Sequence, residues 1–151
     1  MLQHHAAVDR SSANLTQPAG PAVPAQPQLI RQKIAELVRI NQIAQARQLA
    51  QNAVNDYPSH EDILVIHALV CEMQQDWHEA QKSLRRLVEA QMPNVPEETW
   101  RHWIRVLQCC GQMKEALDAA YAATQQYPTS QVLQQELEAL NRPVVSVRAA
   151  A

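Results

Sequence analysis

Apolar residues recur along this chain with the period of a helix, not of a strand. Ile30, Ile34, Leu37 and Val38 stand at i, i+4, i+7 and i+8, which predicts a helix over 28–39 with one apolar face. Asn41 breaks it. A second helix is predicted over 42–56, with Ile43, Ala46, Ala50, Ala53 and Val54 inward and Pro58 as its stop. Segment 60–73 is apolar almost all round, through Ile63, Leu64, Val65, Ile66, Ala68, Leu69, Val70 and Cys71, so its helix belongs in the middle of a stack. Ser59 with Asp62 is the expected start signal of that helix. Asp76 and Glu79 form a capping-box-like pair before a fourth helix over 77–91, with Trp77, Ala80, Leu84, Leu87 and Val88 inward.

Pro93 and Pro96 bracket a short linker, and Pro96 suits the first turn of a fifth helix that runs to Cys110 with Trp100, Ile104 and Leu107 inward. Gly111 is the expected left-handed residue at its end. A sixth helix over 112–126 turns Met113, Ala116, Leu117, Ala120 and Ala123 inward before Pro128. The last, over 129–140, carries the stripe Leu133, Leu137 and Leu140 on an otherwise wet surface, as a capping helix should.

The layout repeats. Ala46, Ala80 and Ala116 lie 34 and 36 residues apart, and Pro58, Pro93 and Pro128 lie 35 and 35 apart. Between them run NQIAQARQLAQNAVNDYP, QDWHEAQKSLRRLVEAQMP and GQMKEALDAAYAATQQYP. This resembles the tetratricopeptide repeat (TPR), a helix–turn–helix unit with a period near 34. Gly111, Ala116, Ala120, Ala123 and Pro128 sit where that family has its turn glycine, small packing residues and terminal proline. The middle repeat agrees at Asp76, Trp77, Ala80 and Leu84 but places Leu87 where a small residue is usual. The first agrees at Ala46, Ala50, Ala53 and Pro58. The first helices depart most: Ile34 and Ile104 replace a glycine-like residue, so those helices are expected to sit farther apart than usual. The expectation is an all-α solenoid of three TPR-like hairpins with a C-terminal capping helix. Its domain spans 28–141, after a Pro/Ala/Gln-rich arm over 1–27 and before a tail over 142–151.

The resemblance implies a protein-binding module whose concave face, lined by the first helix of each pair, holds a peptide or an amphipathic helix of a partner. From the helical phase, that face carries Arg31, Ala35, Val38 and Arg39, then Asp62, Val65, Leu69, Glu72 and Met73, then Arg101, Arg105, Gln108 and Cys109. An apolar floor with arginines at both ends would suit an apolar segment with acidic flanks. A subclass of the family grips a C-terminal carboxylate with cations and asparagines. Here Arg31 fits, but Ala35, Ile66, Glu98 and His102 stand at the other places. Small three-repeat chaperones of type III secretion systems are the analogy for a chaperone or assembly factor. A structural adaptor subunit, a homodimer through apolar end faces and an RNA-binding repeat are the alternatives. Trp77, Trp103 and Tyr121 are candidates for an edge or convex contact.

Composition narrows this further. The 151 residues are 46% hydrophobic with no Phe, and the two glycines, Gly20 and Gly111, leave few turns expected to use positive φ. The net charge of −2 builds no broad positive field for nucleic acid, and Glu79 and Glu89 flank the basic patch Lys82, Arg85 and Arg86. Cys71, Cys109 and Cys110 have no disulfide-framework spacing. No signal peptide or bilayer-length apolar run is read, so a cytoplasmic protein without membrane contact is expected. His4 with His5, His67 with Cys71, and His102 with Cys109 lack the further ligands or reach that a metal site or nucleophile needs, so neither metal, cofactor nor enzyme is expected.

Overall fold

The computed structural model describes residues 26–143, in seven helices. They are α1 (Gln26–Arg39), α2 (Ile43–Asp56), α3 (Glu61–Met73), α4 (Trp77–Gln91), α5 (Glu97–Cys109), α6 (Met113–Gln126) and α7 (Gln131–Asn141). Nearly all of the expected arm, and the tail beyond Pro143, lie outside the described residues. α1 begins two residues earlier than its apolar period, because Pro27 in its first turn needs no donor there and is buried.

Helices pair as α1 with α2, α3 with α4 and α5 with α6, and each second helix packs on the first helix of the next pair. The fold is a three-hairpin α-solenoid closed by α7. Ala46, Ala80 and Ala116 are fully buried, and so are Ala50, Ala120 and Ala123. A methyl group in place of a longer side chain lets helix axes approach closely enough to exclude water. One large core runs from α3 to α7. The first hairpin joins it through two smaller clusters, Ile34, Leu37, Ala46 and Ala50 against Val70, and Ala53 and Val54 against Ile63.

All three hairpins turn in the same way. Asn41, Gln75 and Gly111 have φ of 60°, 58° and 74°. Each donates to a carbonyl three residues back, and the next residue donates to one five back. This closes the exposed carbonyls of α1, α3 and α5 in a Schellman-like cap. Positive φ is therefore used at every hairpin turn, by Asn and Gln as well as Gly. The shortage of glycine did not prevent it, because one left-handed residue costs only about 1 kcal/mol.

Several local expectations are corrected. Ser59 does not cap α3; His60 holds that position without a side-chain bond. Asp76 caps α4 by accepting from the Glu79 amide, but the Glu79 carboxylate turns to Lys82 instead of closing the box. Met113 faces water, and Trp103 is buried. The first helices carrying Ile34 and Ile104 were expected to sit farther apart than usual. Instead α1 packs directly on α3, with Ile34 fully buried beside Val70, whereas α3 and α5 make at most marginal backbone contact.

Candidate functional site

The first helices share one face of the solenoid, and two cavities open along it. The first lies between α1 and α3, about 320 Å³, lined by Ala35, Val38, Ile66, Leu69, Val70 and Met73. On α3 the spacing i, i+3, i+4, i+7 brings Ile66, Leu69, Val70 and Met73 onto one stripe. Val70 is buried against α1, while Leu69 and Met73 are 40% and 54% exposed. Large apolar side chains held open at the mouth of an apolar cleft cost solvation free energy that a bound apolar group would recover.

The second cavity, about 390 Å³, lies over α5 and α7 and is polar: Glu98, Arg101, His102, Arg105, Gln108 and Glu136 line it. Glu72 reaches into this region from α3. Its carboxylate takes a bond from Arg105 at 2.6 Å and another from the His102 ring. Burial opposes the charge on Glu72, but those two bonds outweigh it and hold its pKa below the usual carboxylate range. Glu136 faces Arg101 at 3.9 Å; burial dominates there and raises its pKa. Thus Glu72 ties α3 to α5, and the Arg101–Glu136 pair ties α5 to α7 on this face.

Of the residues expected here, Arg31, Arg39, Asp62, Leu69, Met73, Arg101, Arg105, Gln108 and Cys109 are exposed, and Val38, Val65 and Glu72 are half-buried. The structure gathers Ala35, Val38, Leu69 and Met73 into the first cavity, and Arg101, Arg105, Gln108 and Glu72 into or beside the second. Arg31 and Asp62 line neither. The arginines are not idle cations: Arg39 is held by Glu36 at 2.6 Å, Arg105 by Glu72, and Arg101 faces Glu136. Ile66 also lines the apolar cavity, although it was not among the exposed inner positions read from the helical phase. Glu136 was assigned only to solvent, because nothing local shows that α7 lies beside Arg101.

The other candidates resolve separately. His67 is buried with both nitrogens engaged, Nδ1 with the Ser83 hydroxyl at 2.6 Å and Nε2 with Gln51 Oε1 at 3.2 Å. An amide oxygen only accepts, so Nε2 carries the proton and Nδ1 accepts from Ser83. Burial, then the Arg47 charge, lowers its pKa. Burial pushes the neighbouring Cys71 thiol up to about 12, far from a nucleophile. Among the described residues, no group of three or more His, Cys, Asp or Glu side chains could hold a metal, and no helix is long and apolar enough to cross a membrane. Of the basic patch, Lys82 pairs with Glu79 and Arg85 lies 3.6 Å from Glu115.

No protein-family model and no curated protein matches the sequence. Solved structures do match its shape. One is MamA MSR-1 C2, at 16% identity and a TM-score of 0.64, over 80% of this chain and 68% of that one. Another is MamA 41-end from Desulfovibrio magneticus RS-1, at 16% and 0.63, over 76% and 64%. The chain thus spans about two thirds of those MamA chains. A third is the first TPR of Spaghetti (RPAP3) bound to the HSP90 peptide SRMEEVD, at 11% and 0.63, over 80% of this chain and 95% of that one. At these identities the likeness is one of fold, and the fold is the all-α solenoid of TPR-like hairpins.

Proposed function

We propose that this chain is a protein-interaction module that seats an apolar segment of a partner, a peptide or the apolar face of a helix, in the α1–α3 cleft. The observation that carries the reading is the exposed Leu69–Met73 mouth over an apolar floor. An open apolar patch of this kind is held for contact more often than for stability. The partner chain then continues over the polar cavity, where Gln108 and the paired side chains of α5 and α7 hydrogen-bond its backbone. Acidic flanks contribute less than the arginine count suggests, because a partner carboxylate would have to displace Glu36, Glu72 or Glu136.

The RPAP3 domain of the same fold holds a peptide ending in EEVD. That mode is not carried over. Ala35 and Ile66 make an apolar cleft here, and Glu98 lines the polar cavity, where anion-binding side chains would be needed. A chaperone or assembly factor is the finer form of the reading, supported by a cleft able to shield a hydrophobic client segment; nothing described favours the type III secretion kind. RNA binding is disfavoured by the pairing of Lys82 and Arg85.

The test is Leu69→Asp. Its side chain is partly in water, so the variant should keep its helical circular dichroism and lose the proteins that co-purify with the wild-type chain from its native host. A folded variant that retains the same proteins would overturn the assignment. An aggregation-prone client among them would support the chaperone form, and folded stoichiometric subunits the adaptor form.

A further inference from the structure

A second cleft, of about 380 Å³, opens on the side of the second helices, over α4, α5 and α6. Trp103 and Leu107 of α5 form its floor, with Val88 and Met92 on one wall and Ala122 on the other. Met92 is 57% exposed at its mouth, an unbranched side chain able to adapt to a guest. Trp103 itself was an expected surface contact. It is mostly covered, with the Arg85 guanidinium 5.8 Å from its ring, yet it still bounds the cleft.

The rim is acidic. Glu89, Glu115 and Asp118 stand around this apolar floor. Arg85 stands at its edge, engaged with the Trp103 ring and Glu115, and Glu89 also borders the neighbouring pocket of Lys82, Arg85 and Arg86. Among the described residues, no ion pair engages Glu89 or Asp118, and both are exposed. On the inner face, by contrast, Glu136 in the polar cavity and Glu72 beside it each face an arginine within 4 Å. Open carboxylates around an apolar floor select a guest by charge as well as by burial.

We infer that this cleft is a second docking site, for a segment of another protein with an apolar residue flanked by lysine or arginine. The apolar side chain would lie over Trp103 between Met92 and Ala122, and the flanking cations would pair with Asp118 and Glu89. Because the cleft opens on the side of the second helices, it leaves the inner face free. The chain would then hold two segments at once. The inference does not depend on the inner-face reading.

Two short labelled peptides test it by fluorescence anisotropy: a Leu-Leu core flanked by lysines, and the same core flanked by glutamates. The lysine peptide should bind the full chain, weaken as salt rises to about 0.5 M, and lose roughly tenfold in affinity to a Glu89→Lys/Asp118→Lys variant. Leu69→Asp, on the other face, should leave that binding unchanged. Equal binding of the glutamate peptide would overturn the proposal, as would indifference to the double charge reversal. So would a mass that rises with concentration and falls back in the double variant, since the occupant would then be a second copy. Binding that appears only after removal of 144–151 would assign the cleft to the chain's own end and overturn it too.

Discussion

The two seams of the inner face are built from the same repeat and behave differently. Between α1 and α3, Ile34, Leu37 and Val70 pack in direct contact and leave an apolar cleft above them. Between α3 and α5 there is little backbone contact, and Glu72 spans the gap to His102 and Arg105. The first seam is held by burial, which carries no charge to screen or titrate. The second is held by a charge cluster, which does. One face thus offers a greasy half and an ionic half, and a guest lying along it meets both.

The largest expected effect is on the packed seam. Ile34→Ala removes a fully buried side chain and should cost about 2–4 kcal/mol by urea unfolding. Glu72→Gln should cost less, about 1–2 kcal/mol, since Arg105 is largely solvated and regains water. If the ranking were reversed, the contrast between the seams would be wrong.

Acid sharpens the same comparison. The folded pKa of Glu72 lies below its ordinary value of 4.5, so its stabilisation is complete above pH 4.5 and is lost as pH falls through the folded pKa. In Glu72→Gln that part of the acid loss should be absent, while Ile34→Ala should keep it. Unfolding midpoints taken from pH 7 down to about pH 3 would show whether the two variants differ in slope. The smallest effects concern the turns, which are alike in geometry and so serve as a control. Gly111→Ala meets nothing within 4 Å, so its cost is conformational, about 1 kcal/mol. Gln75→Gly should return a fraction of that amount in the opposite direction. A much larger loss at Gly111 would mean that the turns, and not the seams, distinguish the repeats.

Much of the fold was legible because its signals are local. Apolar period, the closing prolines and the recurring alanines each act within one helix or one turn, so they appear in the sequence at fixed spacing. The misses share a cause. Trp103 lies off the stripe of its own helix, yet it is buried, with Arg85 of α4 against its ring; Met113 lies on the stripe of its helix, yet it is exposed. Gln75 takes a left-handed turn because the caps on either side of it require one, although glutamine does not announce it. Arg101 and Arg105 were readable as charges, but their partners, Glu136 and Glu72, lie on other helices and could not be assigned by phase alone.

What the amino-acid order determined by itself is the number of helices, their pairing and the close approach at Ala46, Ala80 and Ala116, because small side chains at a constant interval admit few other packings. What only the tertiary structure decided is how neighbouring hairpins meet: an apolar seam at α1–α3, an ionic one at α3–α5 and an acid-rimmed cleft behind them. Those contacts join residues about thirty positions apart, and their strength depends on burial and distance, which no residue carries in its own side chain.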